Sequence, residues 1–197
     1  MIFEYIVVII VAYLLGAIPM GLILTRLMGK GDLRQVGSGN IGATNVLRVG
    51  GLRAAAATWV LDMAKVIAAV LIGMSIGGDV LAAWAGFAAV VGHCYPIWLR
   101  FRGGKGISAL FGILLVSNPL AFLVCGVEWL VVALSTGYSS LGAVVVFCLM
   151  PILGFVTDWR IGLAYLAIGL LCCWRHRANI SRLLNGTESK IEWKWKK

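Results

Sequence analysis

Long apolar runs separated by short polar segments dominate this chain and most limit what it can fold into. Of the 197 residues, 61% are hydrophobic and only 13% are charged, which is outside the range of ordinary soluble domains. The runs cover residues 2–24, 52–76, 80–99, 107–116, 119–134, 140–155 and 161–174. The chain is therefore predicted to be an all-α integral membrane protein with seven transmembrane helices.

The positions of the basic residues predict how these helices are oriented. Segments 25–53, 98–108 and 175–197 hold 15 of the 17 Lys and Arg residues, and short loops rich in these residues stay on the cytoplasmic side. All three segments share that side if the run 107–134 is broken at Asn118-Pro119, a turn signal, and the N-terminus is outside. We therefore predict an outside N-terminus and a cytoplasmic C-terminus. The net charge of +9 then reflects topology and does not predict nucleic-acid binding.

The first polar segment, within residues 34–53, reads GSGNIGATNVLRVGG from Gly37 onward. Glycines let backbone N–H groups approach a phosphate closely, and Ser, Thr and Asn side chains add neutral donors. The segment is not a Walker loop, because the Gly-Lys-Ser/Thr ending is missing. Phosphate binding and a flexible loop between two helices both remain possible for this segment alone.

The second segment, residues 92–108, reads GHCYPIWLRFRGGKGIS. The fourth apolar run follows it, and ten residues at ~1.5 Å each reach only about half of a ~30 Å hydrocarbon core. A short helix beginning at Gly103-Gly104-Lys105-Gly106 would point its N-terminal amides at an anion on the cytoplasmic side. Trp98 and Phe101 are predicted to anchor the interface rather than stack on substrate.

The third segment, residues 175–190, contains HRANISRLLNGTESK. His176, Asn179 and Arg182 are spaced by three residues, so on one helix they would share a face. Such a stripe beside a membrane can bind a phosphorylated substrate or lipid headgroups. Residues 193–197, Trp-Lys-Trp-Lys-Lys, have the composition of an interfacial anchor.

Three charged residues, Asp62, Lys65 and Glu128, lie far from the ends of the predicted spans. Asp62 and Lys65 lie three positions apart, so we expect them to face each other on a helix and form a structural ion pair, ahead of a substrate or proton path. Glu128 has no evident partner in the sequence.

Taken together and in this order, the three polar segments resemble the motifs of the bacterial acyl-phosphate:glycerol-3-phosphate acyltransferases, the PlsY family. The resemblance covers nearly the whole chain. It implies one transmembrane domain over residues 1–197, acting as a monomer in the bacterial inner membrane with its site facing the cytoplasm. It also implies the first step of phospholipid synthesis, in which a fatty acyl group passes from acyl phosphate to the 1-hydroxyl of glycerol 3-phosphate, without a cofactor or metal.

The resemblance also assigns roles to individual residues. Glycerol 3-phosphate is expected to bind to Ser38, Arg48, Lys105, His176 and Asn179. Acyl phosphate is expected to bind to Asn40, Thr44, Gly103, Gly104 and Gly106. The candidate catalytic residues are His93, Lys105, Ser38 and Arg48. For Glu188 we expect an orienting or structural role, because a carboxylate repels phosphate.

The residues leave the proton acceptor open. The His-x4-Asp pair used by many glycerolipid acyltransferases is missing, and an acyl phosphate is already activated. We therefore expect a substrate phosphate oxygen to take the hydroxyl proton, with His93 as the rival base. An acyl-enzyme on Ser38 is disfavoured, because no histidine lies close to it in sequence. The alternative classes are a small transporter of a phosphorylated metabolite, for which an inverted repeat would be expected, and a lipid-binding scaffold.

Overall fold

The computed structural model describes residues 1–191, and these contain helices without a β-strand. The α-helices are α1 (Ile2–Gly16), α2 (Met20–Leu27), α3 (Ala43–Cys94), α4 (Ile107–Ser117), α5 (Pro119–Thr136), α6 (Ser139–Thr157), α7 (Trp159–Arg175) and α8 (Arg177–Leu184), with short 3-10 helices at Leu33–Gln35 and Ile97–Leu99. The all-α prediction is confirmed for these residues. The predicted anchor at residues 193–197 lies outside them. The chain divides after Asn118 into two compact units, and each is described by itself.

Within residues 1–191, four helical stretches are long and apolar enough to cross a membrane. They are Ile2–Leu27, Ala43–Leu99, Pro119–Thr136 and Ser139–Thr157, and α4 is a shorter apolar helix. This is the composition of a membrane protein. The count of seven spans and the orientation of the termini remain predictions.

The predicted break at Asn118-Pro119 is confirmed. Helix α4 ends at Ser117, Asn118 has a φ of −156° and a ψ of 84°, and α5 begins at Pro119. A residue before proline is pushed out of the helical region, and proline has the fixed φ that suits a first helical position.

The first apolar run was predicted as one helix over 2–24, and the structure corrects this to two. Helices α1 and α2 are separated at Ala17-Ile18-Pro19, because proline lacks the N–H that would continue the ladder. At this interruption, the carbonyls of Ala17 and Ile18 accept hydrogen bonds from side chains of other parts of the chain. The Ile18 carbonyl accepts from Lys65 Nζ at 2.6 Å, and the Ala17 carbonyl accepts from the indole N–H of Trp98 at 2.7 Å.

Helix α3 consists of three parts, residues 43–50, 52–76 and 79–94. Backbone angles are non-helical at Gly51 and at Gly77-Gly78, where Gly51 and Gly78 have φ of +81° and +66°. The chain reverses direction at the glycine pair, since a Cβ on Gly73 would lie 2.9 Å from atoms of Ala82 and Ala85. The first part was predicted to belong to a loop, but its polar residues 43–48 are helical.

Small residues bring the helices of the first unit into close contact. A Cβ on Gly16 would overlap the Ala89 carbonyl, and a Cβ on Gly92 would overlap the Tyr13 carbonyl, so α1 packs directly on the third part of α3. A Cβ on Gly112 of α4 would likewise lie only 2.8 Å from the Met63 carbonyl. Close backbone approach at glycine is typical of helix pairs in membranes.

In the second unit, α6 packs between α5 and α7. Gly142 lies against Trp129 of α5, and Gly169 of α7 lies 2.7 Å, measured from its ideal Cβ, from the Phe147 carbonyl. Glu128 of α5 has two buried carboxylate oxygens without a hydrogen-bond partner among the described residues.

Candidate active site

The first polar segment is folded around the side chain of Asn45, which is 1% exposed. Asn45 Oδ1 accepts a hydrogen bond from the Ser38 N–H at 2.9 Å. Asn45 Nδ2 donates to the carbonyls of Leu33, Val36 and Asn40 at 3.2, 3.0 and 2.9 Å. Gly37 has a φ of +60°, and a Cβ there would overlap Asn45 Oδ1. One buried amide therefore fixes the turn that carries Ser38.

The four predicted ligands of this segment lie on that turn and on the first part of α3. Ser38 and Arg48 are exposed, whereas Asn40 and Thr44 are half-buried. Thr44 and Arg48 are four residues apart on the helix and therefore share a face. The segment thus presents a hydroxyl and a guanidinium group that are suited to a phosphorylated ligand.

The second polar segment folds back on the end of α3. The N–H groups of Gly103 and Gly104 donate to the carbonyls of Cys94 and His93 at 3.1 and 2.9 Å. In the loop between Cys94 and Gly103, Arg100 and Phe101 have φ of +51° and +60°. This left-handed backbone conformation costs a residue with a side chain about 1–3 kcal/mol. Backbone strain of this kind is common where a loop serves a ligand.

Gly103 and Gly104 are buried in a space where no side chain fits. A Cβ on Gly103 would overlap the His93 carbonyl, and a Cβ on Gly104 would overlap His93 Nε2. Half-buried Lys105 and left-handed Gly106, with a φ of +93°, follow, and α4 then begins at Ile107. The helix start predicted for this segment is confirmed. Its first N–H groups have no acceptor within the helix and favour an anion next to Lys105.

A buried group of charges lies directly behind this glycine loop. Lys65 Nζ is 2.8 Å from Asp62 Oδ1, an ion pair whose angles are not those of a hydrogen bond, and both side chains are 2% exposed. The predicted pairing is therefore confirmed. The pair also has a third member, because Lys65 Nζ lies 3.1 Å from His93 Nδ1.

The first two polar segments share one hydrophobic cluster. Leu33, Ile41 and Val46 of the first segment are buried in it, and Leu99 of the second segment packs against it. The folded first unit therefore joins the exposed hydroxyl and guanidinium groups to the glycine loop through common apolar contacts.

The third segment lies in the second unit and is organised by Glu188. Its carboxylate accepts hydrogen bonds from Ser140 Oγ at 2.7 Å, Asn179 Nδ2 at 2.6 Å and Arg182 Nε at 2.7 Å. Burial alone would raise the pKa of Glu188, but the hydrogen bonds from Asn179, Ser140 and Arg182 outweigh it and lower that pKa below the usual 4.5. These contacts agree with the orienting role expected of Glu188.

The spacing predicts that His176, Asn179 and Arg182 share one helix, but only Asn179 and Arg182 lie on α8. His176 lies between α7 and α8, and its backbone angles, a φ of −96° and a ψ of 3°, are outside the α-helical range. Its Nδ1 lies 2.9 Å from the Cys172 carbonyl, and its ring packs on Phe147 at 5.0 Å. Because a carbonyl can only accept, Nδ1 carries a hydrogen.

Two features of the site were missed by sequence reasoning. Asn45 stands inside the quoted motif but received no role, since its partners are backbone groups that no side-chain pattern reveals. The contact of His93 with the Asp62–Lys65 pair joins residues 28 positions apart, which helical spacing does not predict.

Comparison with known proteins identifies the family. The family model for glycerol-3-phosphate acyltransferase matches residues 6–186. The glycerol-3-phosphate acyltransferase of Roseobacter denitrificans is 49% identical over 92% of both chains, and that of Brucella ovis is 50% identical over 92% of this chain and 90% of its own.

Solved structures agree with these relatives. A crystal structure of PlsY, an integral membrane glycerol 3-phosphate acyltransferase, in its glycerol 3-phosphate form is 35% identical with a TM-score of 0.90, covering 95% of this chain and 96% of that one. The lysophosphatidic acid form is 33% identical with a TM-score of 0.88, covering 95% of each. The chain therefore belongs to the PlsY family of integral membrane glycerol-3-phosphate acyltransferases.

Proposed function

We propose that the protein transfers a fatty acyl group from acyl phosphate to the 1-hydroxyl of glycerol 3-phosphate, in the first step of phospholipid synthesis. The observation that carries this proposal is the loop Gly103–Gly106, which is closed to side chains at Gly103 and Gly104 and followed by the start of α4 beside Lys105. Such a loop suits a phosphoryl group. The solved relatives in glycerol 3-phosphate and lysophosphatidic acid forms support the acceptor and the product.

The residue roles follow from the chemistry of each segment. Glycerol 3-phosphate is proposed to bind to Ser38, Arg48, Lys105, His176 and Asn179. Acyl phosphate is proposed to bind to Asn40, Thr44, Gly103, Gly104 and Gly106. The first set combines cations with neutral donors and the second consists of neutral donors, and both kinds of group bind phosphate. Glu188 has a supporting role, because its carboxylate already accepts three hydrogen bonds.

The reaction needs a nucleophile, a leaving group and one proton transfer. The 1-hydroxyl oxygen attacks the acyl carbon and forms the ester bond, while the bond from that carbon to the phosphate oxygen breaks. The hydroxyl proton passes to a phosphate oxygen, so that lysophosphatidate and inorganic phosphate leave. Lys105 and Arg48 stabilise the charge that develops on the phosphates, and alignment of the two substrates supplies the remaining acceleration.

The surroundings of His93 favour this substrate-assisted route over His93 as the base. A neutral imidazole accepts a proton only at its unprotonated nitrogen. That nitrogen is Nδ1, which points at Lys65 in a buried environment. We therefore predict that His93→Gln keeps measurable turnover. Complete loss of turnover with normal binding of both substrates would instead identify His93 as the base.

The donor assignment is tested with purified protein, glycerol 3-phosphate and either palmitoyl phosphate or palmitoyl-CoA. We expect lysophosphatidate from palmitoyl phosphate only, and about a hundredfold or greater loss in Arg48→Ala, which removes a charge at the reacting phosphates. Product from palmitoyl-CoA alone would refute the donor, and no product from either would revive the transporter hypothesis.

The same proposal includes a location. We propose a monomer in the bacterial inner membrane with seven spans, acting as one domain over residues 1–197, with the polar segments facing the cytoplasm. The charge asymmetry of the loops supports this orientation.

A further inference from the structure

The buried ion pair Asp62–Lys65, next to His93 and the glycine loop, has no part in the proposed reaction. Lys65 Nζ has three acceptor atoms within reach, namely Asp62 Oδ1 at 2.8 Å, the Ile18 carbonyl at 2.6 Å and His93 Nδ1 at 3.1 Å. An ammonium group has three N–H donors and no acceptor. The contacts therefore match a charged Lys65 that donates hydrogen bonds to the Ile18 carbonyl and to His93 Nδ1 and forms an ion pair with Asp62.

The contact with Lys65 favours one tautomer of His93. Because Lys65 can only donate, Nδ1 is assigned as the acceptor, which puts the hydrogen of the neutral ring on Nε2. Asp62 Oδ1 lies 3.6 Å from the same Nδ1 and forms the ion pair with Lys65 Nζ. The protonated Nε2 faces Gly104, at the place where a Cβ would stand.

His93 also holds Gly104 through its main chain, since the Gly104 N–H donates to the His93 carbonyl at 2.9 Å. Ring and carbonyl of one residue thus fix the position of one glycine. A rotation of the ring would displace the loop backbone that packs against it, and displacements near 1 Å at a reacting group cost about a hundredfold in rate.

We infer that Asp62 and Lys65 are positioning residues, which hold His93 as the Nε2–H tautomer and thereby fix the Gly103–Gly104 backbone that receives the acyl phosphate. The inference rests on the proposed acyl-phosphate site. Stability alone is a poor explanation for the pair, because buried ion pairs are often replaced by apolar residues without loss. Lys65 contacts both the interruption at Ile18 and His93, which in turn contacts the glycine loop, and these contacts fit a positioning role.

The first test measures KM for each substrate separately. Lys65→Met leaves Asp62 unpaired and is at risk of misfolding, so the double variant Asp62→Leu/Lys65→Met, which leaves no buried charge, is measured beside it. We expect KM for palmitoyl phosphate to rise about tenfold or more, while KM for glycerol 3-phosphate stays within about twofold. The matched control is Arg160→Met, which removes the cation of the exposed Asp158–Arg160 pair and leaves both KM values unchanged.

The second test reads the tautomer without any enzyme activity. The chain has only two histidines, so ¹⁵N NMR of the labelled rings gives two sets of signals, which His93→Gln assigns. We expect His93 as the Nε2–H form in the native protein and a mixture of tautomers in the double variant.

An Nδ1–H form in the native protein, or equal shifts of both KM values in the double variant, would overturn the inference. A native protein that uses palmitoyl-CoA but not palmitoyl phosphate would refute the proposed donor only. The positioning role would then be read from the KM for palmitoyl-CoA and from the NMR signals.

Discussion

Asn45 shows how a residue outside the reacting groups can control substrate binding. Its amide joins the Ser38 N–H to three carbonyls of the preceding turn. Asn45→Ala leaves these groups without their partner, and the loss of a buried hydrogen-bonding side chain costs about 1–3 kcal/mol. We predict an increase in KM for glycerol 3-phosphate of about tenfold, measured by initial rates, together with a lower Tm.

The control for this prediction is Asn185→Ala at the exposed end of α8, where surface substitutions change stability by about 0.5 kcal/mol or less. If Asn45→Ala lowered Tm but left KM for glycerol 3-phosphate unchanged, Asn45 would be a purely structural residue.

For individual residues, the sequence predicts which side chains are chemically suited to a site better than it predicts which residues contact each other. The structure shows Ser38 exposed and no space for a side chain at Gly103 and Gly104, while their binding roles stay predictions. The partners of Asn45 and the link from Lys65 to His93 were not predicted, because both depend on tertiary contacts rather than on a repeating pattern.

At the scale of elements, Glu188 joins α6 and α8 of the second unit to the segment that follows α8. Its pKa in the folded state lies below the value of a free glutamate, about 4.3. The carboxylate therefore stabilises the fold above that value, and this stabilisation is lost as pH falls through the folded-state pKa. We predict that Glu188→Gln lowers stability by about 1.5–3 kcal/mol at pH 7, the usual worth of a hydrogen bond to a charged group.

Thermal unfolding between pH 7 and about pH 3 checks this prediction. The difference in Tm between the native protein and Glu188→Gln should shrink as the pH falls. Glu4→Gln serves as the control, because Glu4 is 61% exposed in its pair with the N-terminus and such pairs contribute little. A pH-independent difference would show that the shape of Glu188, and not its charge, matters.

The elements were predicted more completely than their interruptions. Every apolar run corresponds to helix, because hydrophobic length is easily read from a sequence. The break at Asn118-Pro119 was predicted from a turn signal. The break at Gly77-Gly78 falls between the runs predicted at 52–76 and 80–99, and Gly51 directly precedes the first of them, whereas the break before Pro19 was not predicted. Glycine and proline also occur inside membrane helices, so their presence alone does not show where the backbone leaves the helix.

For the whole molecule, the most consequential untested prediction is topology. Fifteen of the 17 basic residues belong to three segments, and a cytoplasmic position for all of them requires an odd number of spans with the N-terminus outside. Position 118 would then be outside, whereas position 35 in the first polar segment would be in the cytoplasm.

Single cysteines in a background without the five native cysteines test this topology. In intact spheroplasts, a membrane-impermeant maleimide should label Asn118→Cys at once and Gln35→Cys only after permeabilisation. Gln35 is exposed and Asn118 half-buried, so slow labelling at position 35 in intact cells would reflect the membrane and not protein packing. Labelling of Gln35→Cys from outside would place the glycine-rich segment away from a cytoplasmic supply of glycerol 3-phosphate, and would overturn the proposed orientation even if the purified protein were fully active.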